Sequence, residues 1–382
     1  MDISSLRDRI RAAGASQSKK EQRPAAGIRI DESDTPADGG WYDLPAQGLR
    51  RMGIEAEDAE IEQMLFLDTE TTGLSGGVGT VAFLVGLGWV RGGQFHTRQI
   101  LMRDYASECM LLEDVARIAE PFAWVVTFNG KTFDLPLLHT RFLMNRMEDG
   151  LEELAGIDLL APSRRLWRRR LKSVRLTNLE EKILHLERDN DLPGSEAPQR
   201  YFDYLKTRDE GPLEEVIEHN RQDVITMASL LKELCDAYAC PKKLTESADQ
   251  LSMALTLGRA GEKEEAESLY RMASEPRSSI GIAALKEGRF RVQARRELDQ
   301  LLRRQGRTDE RIELLEGMCR ANEGGAYPYI ELSKIAEHTL ADRRAALRYA
   351  ERALRACDAE EKETIEKRTE RLRKRLRTER EE

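Results

Sequence analysis

The sequence predicts an α/β fold, a mixed sheet flanked by helices, followed by an all-α domain of recurring helical pairs. Three observations predict it. Four runs of strand type, Met64 to Leu67, Val81 to Val90, Gln94 to Met102 and Ala123 to Phe128, crowd between residues 63 and 128. Amphipathic helical patterns then alternate with strand patterns, which is how a sheet acquires helices on its faces. Beyond Cys240-Pro241 the pattern is helical throughout, with small residues recurring where helices must cross closely. The reading divides the 382 residues into a lead over 1–62, an α/β domain over 63–240, a helical repeat over 245–357 and a charged helical tail over 358–382.

In the lead, only Leu6 to Ala13 could form a short helix; the rest is rich in small and charged residues and reads as flexible. Trp41-Tyr42 is either a docking point on the next domain or a partly exposed aromatic pair. In the α/β domain the two middle strands meet at Gly92-Gly93, a hairpin signal. A helix is expected at Glu108 to Ala119, with Met110, Leu111, Val115 and Ile118 on one side. The segment Ser75-Gly76-Gly77-Val78-Gly79-Thr80 lacks the Gly-Lys-Ser/Thr ending of a phosphate loop and precedes a strand, so nucleotide binding there is rejected. Asn129-Gly130 is a turn signal after a strand, and Phe133 to Met144 continues as an amphipathic helix with Asp134 in its first turn.

Ile157 to Leu160 reads as a short strand. After it Ser163 to Leu176 carries Arg164, Arg165, Arg168, Arg169, Arg170, Lys172 and Arg175 with no acid among them, and Leu166, Trp167 and Leu171 give it an apolar helical edge. In an acidic chain such a strip suits phosphate contacts, or else a solvated face. Asp191-Leu192-Pro193-Gly194 is a turn, and Pro198 opens a helix bearing Tyr201, Phe202 and Tyr204, which read as core in preference to a base-stacking platform. A helix over 213–237 buries Leu213, Val216, Val224, Met227, Leu231 and Leu234 and sets His219 and Asp223, four apart, on one edge.

The C-terminal part repeats one style. Ala254, Gly258, Ala266, Tyr270 and Ala273, then Leu332, Ala336, Ala346, Tyr349, Ala350 and Ala353, suit stacked helical hairpins of tetratricopeptide type, with a plain bundle as the alternative. Asp358 to Glu382 is a charged helix expected to be solvated or frayed.

Composition narrows the classes. The net charge of −8 gives no overall basic footprint of the kind a simple nucleic-acid coat carries, but a local basic strip is sufficient for a nuclease, so the global charge weighs little either way. Five scattered cysteines with no Cys-x-x-Cys pair argue against a disulfide or zinc framework and for a reducing, cytoplasmic setting. No apolar stretch is long enough to span a bilayer, and no secretory leader is visible.

The chemistry concentrates at Leu65-Phe66-Leu67-Asp68-Thr69-Glu70-Thr71-Thr72-Gly73-Leu74. In an extended chain side chains two apart share a side, so Asp68 and Glu70 face one point and repel unless a proton or cation lies between them. Asp68-x-Glu70 on a strand, Asn129-Gly130-x-x-Phe133-Asp134 at a strand-to-helix junction and His219-x3-Asp223 on a late helix together resemble the DEDD superfamily of RNase H-like 3′-to-5′ exonucleases. The longer run from Phe66 to Thr80, with His219-Asn220 later, is similar to the YprB-like RNase H-like domain proteins, members of which can carry tetratricopeptide repeats behind the nuclease domain.

That resemblance implies an RNase H-like sheet and a two-metal phosphodiesterase. Asp68 is expected to bridge two Mg²⁺ or Mn²⁺ ions, with Glu70, Asp134 and Asp223 completing the metal ligands. His219 is implied as the general base or as a group that positions water. It precedes the last Asp by four residues, whereas the usual His-type members have five; four is the spacing at which other members place a water-orienting Tyr. Thr71 and Asn129 beside the acids, and Arg168, Arg169 and Arg170 of the strip, are the candidate substrate contacts. The expected partners are a single-stranded DNA or RNA end and a protein bound by the repeats. A non-catalytic nucleic-acid clamp and a repeat scaffold with an incidental α/β domain are the alternatives.

Overall fold

The structure is a computed structural model and describes residues 27–55, 59–73, 79–188, 192–276 and 282–381. The helix expected at Leu6 to Ala13 and the segment Leu74 to Val78 lie outside the described residues, as does Asp191 of the expected turn. The chain divides into two compact units after Lys243.

The first unit is a mixed six-stranded sheet in the order β1-β4-β3-β2-β5-β6. Its strands are β1 (Ile28–Pro36), β2 (Met64–Thr71), β3 (Ala82–Arg91), β4 (Gln94–Met102), β5 (Trp124–Thr127) and β6 (Ala155–Asp158). From β1 to β2 the neighbours run antiparallel; β5 and β6 add to β2 in parallel. The helices of this unit are α1 (Ala46–Met52), α2 (Glu108–Ala119), α3 (Asp134–Met144), α4 (Leu160–Trp167), α5 (Leu176–Leu179), α6 (Ala197–Thr207) and α7 (Glu214–Ala239). A π-helical turn, Glu180–Leu184, continues α5.

β2 and β3 are buried along almost their whole length, which is why they read as continuous apolar runs and not as alternating ones. Leu65, Leu67, Phe83, Val85 and Leu87 join one core with Leu111, Leu112 and Val115 of α2 and Leu137, Leu138 and Phe142 of α3. Tyr201 of α6 is fully buried and stacks on Phe83 at 4.2 Å, and Tyr204 is buried beside it, so these aromatics belong to the core and offer no platform to a base. Across the sheet α7 packs on β2, β3 and β4.

The expectation of a flexible lead up to residue 62 is corrected for its described part. Residues 28–36 form β1, paired along its full length with β4, and α1 packs on α7. The sequence hid this strand because its buried positions include charges that are matched elsewhere in the fold. Arg29 pairs with Asp31 at 2.8 Å, with Glu214 at 2.9 Å and with Glu210 at 3.2 Å. Trp41 is 3% exposed and meets Phe95 edge-to-face at 5.3 Å, so it is a docking point, while Tyr42 stays exposed.

The second unit is helical: α8 (Ser247–Ala260), α9 (Lys263–Ala273), α10 (Ile282–Arg304), α11 (Thr308–Arg320), α12 (Tyr327–His338), α13 (Arg343–Ala356) and α14 (Ala359–Glu381). Each helix packs on the next in the chain, the pattern of a stack built from local contacts. The tail expected to fray is α14, and it is held. Leu372 packs with Ala336, Ala346 and Ala350, and Ile365 with Ala326 and Ala353, so two apolar side chains seven apart help to seat an otherwise charged helix whose arginines also pair with Glu337. Among the described residues no helix is long and apolar enough to cross a membrane.

Candidate functional site

The end of β2 meets α7 at unusually short range. Asp68 lies opposite Gly86 of β3, and Asn220 of α7, fully buried, donates its Nδ2 to Asp68 Oδ2 at 2.9 Å and to the Asp68 carbonyl at 3.3 Å. A Cβ on Gly86 would fall 1.9 Å from Asn220 Oδ1, and one on Gly88 would fall 2.4 Å from Val224 Cγ1. Glycine at both positions is what lets the helix approach the strand. The sequence reading gave Asn220 no role. Its signal was Gly86-x-Gly88, two glycines at strand period inside an apolar run, which empties one face for a neighbouring element. A register shift between Glu70 and Thr71 ends the regular pairing at the same place and re-aims the side chains there.

Asp134 is buried in the first turn of α3 and accepts a hydrogen bond from Thr69 Oγ. The turn before it is built by Asp158 at the end of β6, whose carboxylate accepts from the backbone N–H of Asn129 at 3.0 Å, Lys131 at 3.1 Å and Leu160 at 2.9 Å. Asn129 takes the left-handed φ of 72° this turn needs, a conformation that Asn tolerates better than most residues. Its Oδ1 accepts from Thr132 Oγ at 3.1 Å. Thr71 is buried and donates its hydroxyl to the Gly73 carbonyl at 2.8 Å.

On α7, His219 Nε2 stands 3.7 Å from Asp223 Oδ2. Two further residues, absent from the sequence reading, complete this corner. Glu180 of the π-helical turn is buried and binds Arg188 in a two-point pair, accepting from Nη2 at 2.5 Å and Nε at 2.6 Å; Thr226 Oγ donates to it as well. The same guanidinium donates to Asp223 Oδ1, and its Nη1 lies 3.1 Å from His219 Nδ1. A guanidinium has no acceptor, so Nδ1 receives this bond and a neutral His219 carries its proton on Nε2.

The four carboxylates share one electrostatic pocket. Burial, then the charges of Asp223, Asp134 and Glu70, push Asp68 well above the usual carboxylate range. Glu70 is pushed up to about 8 by burial and by Asp223 and Asp134. Burial also pushes Asp134 up to about 6, against the hydrogen bond from Thr69 and with the charge of Asp158 adding to the rise. Among the described residues no three His, Cys, Asp or Glu side chains close around one point as a formed metal shell. The donor set nonetheless suits a hard divalent cation, being all oxygen and mutually repelling.

Residues 65–235 match the model of RNase_H_2, a family of the RNase_H superfamily. The chain is also 31% identical over 321 residues to "Uncharacterized protein YprB" of Bacillus subtilis (strain 168), an alignment covering 81% of this chain and 74% of that protein. The chain belongs to the RNase H superfamily.

Within the RNase H-like unit the basic strip differs from the single helical face expected of it. α4 ends at Trp167, where the N–H groups of Arg170 and Leu171 both return to the Trp167 carbonyl, so Arg168, Arg169 and Arg170 fan from a turn. Arg168 and Arg169 are exposed, Leu166 and Trp167 anchor the segment in the core, and Arg165 donates to the Met52 carbonyl at 2.5 Å. α4 starts two residues after β6 ends, which puts the fan about 12 Å along a helix from the edge where Asp158 organises the Asn129 turn.

Proposed function

We propose that the protein is a metal-dependent nuclease that hydrolyses phosphodiester bonds, working from the 3′ end of a single-stranded DNA or RNA. The observation that carries this reading is the gathering of Asp68, Glu70, Asp134 and Asp223, in which the other three raise the cost of ionising Asp68, and Asp223 and Asp134 raise that of Glu70. Acids are concentrated in that way where a cation is to be received. These four would hold two Mg²⁺ or Mn²⁺ ions, which when bound would supply an activated water and neutralise charge on the leaving oxygen.

The chain's own residues prepare the site. Asn220 fixes the Asp68 carboxylate through Oδ2, and Thr69 fixes Asp134 through Oδ1, so two acids on different elements keep their relative aim. His219 stands beside Asp223 to position water or take its proton. Thr71, Asn129 and the fan of Arg168, Arg169 and Arg170 are the proposed contacts to the strand. The helical unit, with the sequence signature of a tetratricopeptide-like repeat over 245–357, is proposed to bind a protein partner in the cytoplasm.

The test is degradation of end-labelled single-stranded DNA and RNA with Mn²⁺, comparing the parent with Asp68→Ala. The parent is expected to shorten the strand stepwise, and the variant to lose about a hundredfold or more, since even a residue behind a metal ligand is worth 10- to 100-fold. A parent inert on both substrates would favour a non-catalytic clamp, and mid-strand products would replace the exonuclease reading with an endonuclease.

A further inference from the structure

Arg188 is a buried cation that links a structural acid to the proposed site. Its side chain is 8% exposed and its partner Glu180 4%, and their two-point contact balances one buried guanidinium charge with one buried carboxylate while leaving N–H groups for other acceptors. The guanidinium nevertheless reaches past Glu180 to donate to Asp223 Oδ1, and it gives a further hydrogen to His219 Nδ1. One cation thus serves a structural acid and two groups of the proposed site. A divalent ion and a guanidinium at the same carboxylate oxygen repel, so both cannot hold Asp223 Oδ1 together.

We propose that Arg188 is a tethered counter-cation that occupies Asp223 until a divalent metal ion displaces it, and that its departure releases His219 from the Nε2–H tautomer. The inference rests on the reading of the four carboxylates as metal ligands. With Nδ1 accepting from Arg188, the Nε2 of a neutral His219 already bears its proton and cannot take one from water. Once Arg188 leaves, Nδ1 can carry the proton and Nε2 can accept.

Mn²⁺ binding to the full-length, metal-free protein tests this, read from the loss of the free-ion signal in electron paramagnetic resonance. Arg188→Met leaves Glu180 buried without its cation and can unfold the corner, so the paired Glu180→Met/Arg188→Met variant, which removes that acid with its cation and leaves Asp223 open to the metal, is measured beside it. The paired variant is expected to bind Mn²⁺ about tenfold more tightly than the parent, because a site that is open a tenth of the time loses that factor. Equal or weaker binding by the variant, with the parent binding, removes the exchange and leaves the metal reading standing. No binding by either protein removes both. A second readout is the ¹⁵N spectrum of His219 in the metal-free parent, assigned with His219→Gln. A proton on Nε2 is expected there, and one on Nδ1 overturns the proposal.

Discussion

Charge is enclosed in both units, and they use it in opposite ways. In the helical unit Glu337, with a side chain 2% exposed, is met by Arg368 at 2.7 Å, Arg371 at 2.8 Å and Arg375 at 3.1 Å, all from α14. Glu267 of α9 is met by Arg271 at 2.8 Å and by Arg307 at 2.6 Å. Burial alone would push both acids up, but the arginine hydrogen bonds and charges outweigh it and hold both below the usual carboxylate range. In the RNase H-like unit four carboxylates gather, and Asp68, Glu70 and Asp134 are pushed up, with Arg188 reaching in at Asp223. Matched charge fixes how one helix sits on the next. Unmatched charge of one sign costs folding free energy, and it is retained where a ligand is to supply the counter-charge.

The sharpest way to break this comparison is pH. Glu70 has its folded pKa raised from the ordinary 4.5 to about 8. The folded chain therefore holds that proton more tightly than the unfolded one, and the stability it contributes is complete below about pH 4.5 and is lost as pH rises through about 8. In metal-chelating buffer the first unit is expected to lose up to about 3 kcal/mol between pH 5 and 8, each pKa unit being worth about 1.4 kcal/mol. Glu70→Gln should flatten that loss. Glu337 and Glu267 have the opposite sign: their contribution is present above the ordinary carboxylate range and is lost as pH falls through their lowered values. Hydrogen exchange followed by mass spectrometry reads the two units separately. Parallel pH responses in both would end the distinction.

A smaller effect separates the units by mutation. Glu337→Gln is expected to destabilise the helical unit by about 2 kcal/mol, the scale of a hydrogen bond to a charged group. It should loosen exchange in α12 and α14 while leaving Mn²⁺ affinity untouched. A loss of Mn²⁺ binding in this variant would show that the two charge systems are coupled.

Much of this contrast was legible beforehand, and the missing parts have physical reasons. The strands β2, β3 and β5 announced themselves because burial on both faces leaves apolar runs, and β4 through the Gly92-Gly93 hairpin signal before it. Asp68 and Glu70 could be paired because strand period puts them on one side, whereas Asp134, His219 and Asp223 were joined to them only by the family resemblance. β1 was hidden by charges that are buried only because Arg29 is paired by three acids from two elements, a long-range fact that no local pattern carries. Glu180 and Arg188 were invisible for the same reason, since their meaning comes from contacts 8 to 46 residues away. Asn220 was half-legible, through the glycines that make room for it. In α14 the charge pattern was read as solvated because its acid partner, Glu337, lies on another helix.

Arg168, Arg169 and Arg170 are a third way of carrying charge, and their test has the mildest expected effect. They leave a turn anchored by Leu166 and Trp167, with Arg168 and Arg169 exposed and Arg170 half-buried. Replacing all three by Gln should move stability by about 1 kcal/mol or less, the scale of an exposed charge contact. If they hold the strand, each lost phosphate contact lowers the salt dependence of binding by about 0.7 in log–log slope for a single strand, so the three together remove up to about 2. Fluorescence anisotropy with labelled single-stranded DNA over a salt series, in chelating buffer to prevent cleavage, reads that slope directly. A variant with the parental slope would make the fan a solvated surface and shift the search for the phosphate path to the cations nearer the end of β6, beginning with Arg164 and Arg165. Arg165 already anchors the Met52 carbonyl, so Arg164, exposed on α4 one turn before the fan, would be neutralised first.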